Sequence, residues 1–274
     1  MSLADWFPDQ DHRFQMRFER GTIAGFFKPS ELHPKALAER RHWLRSNPEQ
    51  FTALLPEGVA LLQEAVELAQ REGTLLPDAL GALAGAKSPA DKCRHLGESW
   101  EPDFVLLCAG ADGVFRVAGG CVCFPSSWSL AEKLGHRLEF VHSPVPGLNA
   151  ALGRQIQSFL SQMKSGLAWQ RLNWGLSRTA ELNQHPSRNL PPLDVSIPPE
   201  EIFLRVEDQA LVRLPETQGV LFGIRVTSYP LSAVKNDRLA ARGLARALRT
   251  MGEAMAAYKR ISSVRDPVAQ FLEA

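Results

Sequence analysis

The chain has 274 residues, 45% hydrophobic and 22% charged, with 20 glycines and 19 prolines. These proportions exclude a disordered tail, a collagen-like fibre and a disulfide-stapled miniature, and they allow a sizeable core. Basic residues number 31 against 30 acidic ones, a net charge of +1, too balanced for broad phosphate neutralisation on a nucleic acid. No run approaches the roughly 20 apolar residues of a bilayer span, and the start MSLADWFPDQDHRF lacks a signal-peptide pattern. The expectation is a soluble, cytoplasmic protein with no membrane or nucleic-acid partner.

Residues 1 to about 100 read as a helical extension. Pro34 opens one segment running to about Arg45, and Val59, Leu62, Val66 and Ala69 recur at helical spacing after Pro56. Residues 73–89 read as a short helix and loops. Strand character then begins, with two apolar runs, 104–108 and 114–124, flanking Gly110-Ala-Asp-Gly113 as a hairpin. A short helix over 129–134 and the loop His142-Ser-Pro-Val-Pro-Gly147 come next. The stripe Leu148, Leu152, Ile156, Phe159, Leu160 and Met163 marks a long helix. Three strands follow at 168–176, 202–214 and 220–229, and a last helix carries Leu244, Leu248, Met251, Met255 and Tyr258. This order predicts an α+β fold, with an antiparallel sheet, helices on one face and a pocket between them. It occupies residues 101–262, after the extension 1–100 and before a tail, 263–274.

Familiar catalytic signatures are missing. Cys121 and Cys123 share a strand face in an apolar stretch and read as small buried hydrophobes; with Cys93 and Cys108 they make no zinc or iron–sulfur spacing. The seven histidines form no metal motif, and the chain has no P-loop, G-x-G-x-x-G or G-x-S-x-G. Any activity must draw on a bound cofactor or an unfamiliar constellation.

His142 follows the apolar alternation Leu138, Phe140 and is stiffened by Pro144 and Pro146. A neutral imidazole there suits a single axial haem ligand; the plain alternative is a histidine bonding its own loop. A two- or four-residue turn centred between Glu216 and Thr217 pairs Asp208 with Arg225, Ala210 with Gly223 and Val206 with Thr227. Their shared face is either a cavity wall with polar handles or the setting of a simple buried ion pair. The opposite face, with Arg205, Glu207, Gln209 and Arg213, is expected in solvent. On the preceding strand Trp169, Arg171 and Asn173 share a face, where Arg171 either pairs with a carboxylate such as a haem propionate or lies on the surface.

A series of short motifs occurs in order: Cys123-Phe-Pro-Ser-Ser-Trp128, Glu132-Lys-Leu-Gly135, Val141-His-Ser-Pro-Val-Pro-Gly147, Gln170-Arg-Leu-Asn-Trp174, Leu204-Arg-Val-Glu207, Arg213-Leu-Pro215, and Val220-Leu-Phe222 with Ile224-Arg225. Together they resemble the haem-dependent oxidative N-demethylase family, chiefly between Trp100 and Lys259. The resemblance implies a PAS-like fold holding haem b between sheet and helices, and oxidative removal of a methyl group from a small amine such as dimethylamine, with release of formaldehyde. It implies O2 as oxidant and electrons from NADPH through FMN and iron–sulfur centres on partner subunits, or through a ferredoxin. It makes His142 the iron ligand, with Trp128, Lys133, Arg171 and Arg225 as further cofactor contacts. Asp208, Glu207, Arg225 and Asn173 become the catalytic or substrate-binding candidates.

Three departures bear on the substrate. Glu207-Asp-Gln-Ala-Leu211 stands where the family reads Glu-Arg-Gln-Thr-Leu, so Asp208 reverses a charge and is expected to alter specificity or pair with Arg225. Gly223-Ile-Arg-Val-Thr227 replaces Thr-Ile-Arg-Thr-Tyr, so Gly223 is expected to enlarge the pocket. Gly25-Phe26-Phe27 departs from a Gly-Leu pattern. Two rivals accompany the enzyme reading: a non-catalytic haem-binding sensor or binding module, and a haem-free PAS-like scaffold.

Overall fold

In a computed structural model, which describes residues 3–274, seven strands form one antiparallel sheet. They are β1 (Glu19–Gly21), β2 (Thr52–Leu54), β3 (Asp103–Ala109), β4 (Phe115–Cys121), β5 (Ala168–Ser177), β6 (Phe203–Arg213) and β7 (Val220–Pro230), in the order β1-β5-β6-β7-β3-β4-β2. The five inner strands have the expected PAS-like arrangement. Asp208 faces Arg225, Ala210 faces Gly223 and Val206 faces Thr227. The β6–β7 connection is the four-residue turn, since Leu214 N donates to Gly219 O at 3.0 Å. The Glu64 carboxylate secures it, accepting from Glu216 N at 2.7 Å and Thr217 N at 2.9 Å.

Helices cover both faces of the sheet rather than one. Phe104, Val105, Leu106 and Leu107 are buried in succession along β3, so both sides of the strand must be shielded from water. The face carrying Ala210, Val212 and Leu221 packs on Phe26, Phe27 and the helices His33–Ser46 and Gly58–Arg71. Further along the same face, Leu204 and Val206 pack on C-terminal helices. The opposite face, with Val105, Leu107 and Val220, meets Leu130, Leu160 and Met163.

The first hundred residues are integral to this body. They supply both edge strands and much of the core, because β3, β4 and β7 leave broad apolar surface that only their helices cover. The 263–274 stretch, read from sequence as a tail, forms the helix Arg265–Glu273, with Val268, Ala269 and Leu272 buried. The single C-terminal helix divides into Arg238–Thr250 and Glu253–Tyr258, because Met251 and Gly252 take extended backbone angles. Residues Leu138–His142 form a short helix instead of a strand-like alternation. Cys121 and Cys123 are buried as expected, with sulfurs 4.0 Å apart.

Candidate functional site

The loop after β4 is fixed from both sides. Arg40, wholly buried, donates to Asp103 Oδ1 at 2.8 Å and to Glu101 O at 2.7 Å. Asp103 in turn accepts from Cys123 N at 2.7 Å and Phe124 N at 2.9 Å. From β6, Arg205 donates to Phe124 O and Leu182 O, each at 2.8 Å, and to Ser126 Oγ at 2.8 Å. Burial pulls the Arg205 guanidinium down to about 10, with Glu207 and Asp103 opposing that shift. These bonds set Ser126 and the following Trp128 against the sheet.

A hydrogen-bonded row then runs across β5 and β6. Ser126 Oγ donates to Glu207 Oε1 at 2.5 Å, while Asn173 Nδ2 at 3.1 Å and Gln209 Nε2 at 2.8 Å donate to Glu207 Oε2. Arg171 Nε donates to Gln209 Oε1 at 2.9 Å. The buried Glu207 carboxyl group therefore accepts from three donors. The expectation of a solvated face fails here, since Arg205, Glu207, Gln209 and Arg213 are all buried. β6 lies between two strands, and the chain segment after β4 folds over this side.

His142 ends its short helix on the segment covering the same side. Its imidazole is pushed down to about 4, first by burial and then by the Arg171 charge. It is therefore neutral at physiological pH, with a lone pair free to ligate. Lys133 lies close by, its Nζ 5.4 Å from the ring centre of Phe140 on that helix. Trp128 bridges the cores on the two sides of the loop.

The long helix Leu148–Gln162 completes this wall, and Leu160 is its one buried residue; Leu148, Leu152, Ile156 and Phe159 remain half-exposed. Below them β5 is half-exposed from Trp169 to Leu176. Of the stripe, Ile156 and Phe159 pack against the cluster that holds Val105 and Val220, Phe159 also stacking on Phe18 and meeting Trp169 edge-on, while much of their surface stays uncovered. β1 covers only Ala168–Gln170 of the β5 edge. Lys259 reaches the uncovered length, donating to Trp174 O at 2.5 Å. A 260 Å³ cavity lies between His12, Phe14, Pro146 and Met255.

The other candidates stand elsewhere. Asp208 and Arg225 occupy the opposite face of β6–β7. Arg225 is committed to Glu101 Oε1 at 3.1 Å, to Lys28 O at 3.0 Å and to Phe26 O. Burial raises the Asp208 carboxyl to about 6, against the pull of Arg225. The expectation that Gly223 enlarges a pocket is overturned: a Cβ there would lie 2.6 Å from Phe26 Cε1 and 2.8 Å from Phe27 Cζ. Those rings fill the space, which also accounts for the Phe26-Phe27 departure from the family pattern.

Sequence reasoning names His142, Arg171, Asn173 and Glu207 as candidates without bringing them together, puts Glu207 and Gln209 on a face expected in solvent, and misses Ser126 and Lys259. The available signal was polar alternation on a strand with neighbours on both sides. Read as an inner strand, β6 has no solvent face to offer.

This is an α+β protein of PAS-like arrangement in which a neutral histidine lies within electrostatic reach of an arginine–carboxylate row on the sheet. Residues 26–269 match the family described as haem-dependent oxidative N-demethylase, alpha subunit-like, and the chain belongs to that family. The family name carries haem dependence and a subunit of a larger assembly. Among the described residues, no helix is long and apolar enough to cross a membrane.

Proposed function

We propose that the chain is the haem b-binding subunit of an oxidative N-demethylase-type monooxygenase acting on a small amine or N-methylated metabolite. The observation that carries this reading is the hydrogen-bonded Arg171–Gln209–Glu207–Asn173 row with neutral His142 in electrostatic reach of its Arg171; together with the underburied Leu148–Gln162 stripe we read these residues as the lining of a groove. Those residues fit a flat apolar group with acidic substituents. Half-buried aliphatic and aromatic side chains would take its faces, the imidazole its iron, and cationic side chains its carboxylates.

When bound, haem supplies the activation of O2 that oxidation of an N-methyl carbon requires. The protein's own part is binding and positioning. His142 offers a ring nitrogen without first losing a proton. Arg171 is oriented by Gln209, and its terminal nitrogens carry no hydrogen bond or ion pair among the described residues. Glu207, held by three donors, fixes negative charge beneath the groove, where it can favour an ammonium substrate over a neutral one. Asn173 keeps Glu207 in place and has one amide donor left for a ligand. Trp128 and Lys133 are assigned to the rim. Asp208 and Arg225 act from the far face, as substrate selectors only through the strand they share. Electrons come from a partner subunit carrying FMN and an iron–sulfur centre and using NADPH, or from a ferredoxin.

The test is the absorption spectrum of the purified chain reconstituted with haem, for wild type and His142→Ala. A stoichiometric haem spectrum whose ligand-field bands change in the variant is expected. Amine-dependent formaldehyde release with a reductase should follow. Failure of well-folded wild type to bind haem overturns the assignment, and haem binding without turnover of any amine leaves a sensor.

A further inference from the structure

Lys259 is not part of any motif used so far, yet the fold spends effort on holding it. It closes the helix Glu253–Tyr258, its backbone N–H donating to Met255 O at 2.9 Å. The next residue, Arg260, takes φ +57, a left-handed conformation unusual for a non-glycine residue. Arg260 N then bonds Ala257 O, and Ile261 N bonds Ala256 O, each at 2.9 Å. Ile261 is fully buried, which pins this helix end. The lysine stem is laid along Trp174, with Nζ 5.0 Å from its ring centre, and uses one of its three donors on Trp174 O.

The charges around it are unequal. Glu207 and Arg171 both act on Lys259 electrostatically, and burial lowers its ammonium to about 8. Glu207 already accepts from Ser126, Asn173 and Gln209. Arg205 is consumed by backbone carbonyls and Ser126. Arg171 and Lys259 therefore lie within electrostatic reach of one another with unspent N–H donors, and no carboxylate among the described residues forms an ion pair with either. Two half-buried cations with donors to spare ask for acidic oxygens from a ligand.

We propose that Lys259 is a carboxylate anchor of the groove, acting with Arg171 on acidic groups of the bound molecule. This rests on the haem reading of the groove. The carboxylates have two sources, the propionates of the porphyrin or a carboxylate on the amine substrate, as in an N-methylated amino acid.

The experiment titrates the full chain, wild type, Lys259→Met and Lys259→Arg, with haem b and with haem dimethyl ester, reading affinity from absorbance. N-methylglycine is then added to each haem-loaded protein and the spectral shift recorded. If the propionates are held, wild type binds haem b about tenfold more tightly than the ester. Lys259→Met loses that preference and Lys259→Arg keeps most of it. If the substrate carboxylate is held, haem affinity is unchanged in Lys259→Met but the N-methylglycine shift is lost, and Lys259→Arg retains it. Equal loss of haem b and ester in Lys259→Met, or no change in any reading, overturns the proposal. Should Lys259→Met not fold, wild type that neither prefers haem b over the ester nor responds to N-methylglycine overturns it as well. Wild type that binds no haem at all instead overturns the haem assignment.

Discussion

Glu207 and Asp208 are neighbours on β6, and one residue of chain separates two different electrostatic settings. Glu207 points to the groove side and accepts three hydrogen bonds. Asp208 points to the other side, where its Oδ1 is buried without a partner and Arg225 opposite is engaged by Glu101. The Asp208 carboxyl rises from 3.8 to about 6 in the folded chain, so that between those values the folded state holds more protons than the unfolded one. Its contribution to stability is present at pH 4 and lost as pH rises through 6. Asp208→Asn should therefore be about 1–2 kcal/mol more stable than wild type at pH 7, with the gap closing toward pH 4. Urea unfolding at the two pH values checks this, and a gap that does not depend on pH would refute it.

At the scale of elements, the helix Leu148–Gln162 is unusual in burying one residue out of a full apolar stripe. The helix Gly58–Arg71, of nearly the same length, buries Leu61, Leu62, Ala65, Val66, Leu68 and Ala69. A ligand filling the groove should therefore stabilise the first helix far more than the second. Hydrogen exchange with and without haem should slow in 138–162 by about tenfold or more and change little in 58–71. Equal slowing in both would mean that haem acts on global stability alone. The six apolar positions of that stripe are legible in the sequence; that most of them stay half-exposed is not, because periodicity reports which side is apolar and not what stands opposite.

For the molecule as a whole, the two ends of the chain close the structure. Phe7 and the helix Arg265–Glu273 join the same apolar cluster as Leu204 and Val206 on β6. Removing residues 265–274 exposes the partners of Val268 and Leu272, each worth about 1.5–3 kcal/mol. Against the 5–15 kcal/mol typical of a folded chain, the truncated protein should melt many degrees lower or fail to fold, as thermal unfolding followed by circular dichroism would record. Unchanged melting would show that this helix is an appendage.

Local chemistry in the sequence determined the strands at 168–176, 202–214 and 220–229, the β6–β7 register and the buried cysteines, because alternation, turn length and hydrophobicity act between near neighbours. The ordered motifs also determined the family. Tertiary structure alone decided that the odd-numbered face of β6 is buried. Its odd-numbered charges look solvated until a neighbour on each side and the 122–163 segment over them remove the water. It also decided that Phe26 and Phe27 fill the space beside Gly223, that the last helix belongs to the core, and that Lys259 comes within electrostatic reach of Arg171 and Glu207. Those contacts join residues far apart in the chain, where no local pattern links them, and only the closed sheet with its helices brings them together.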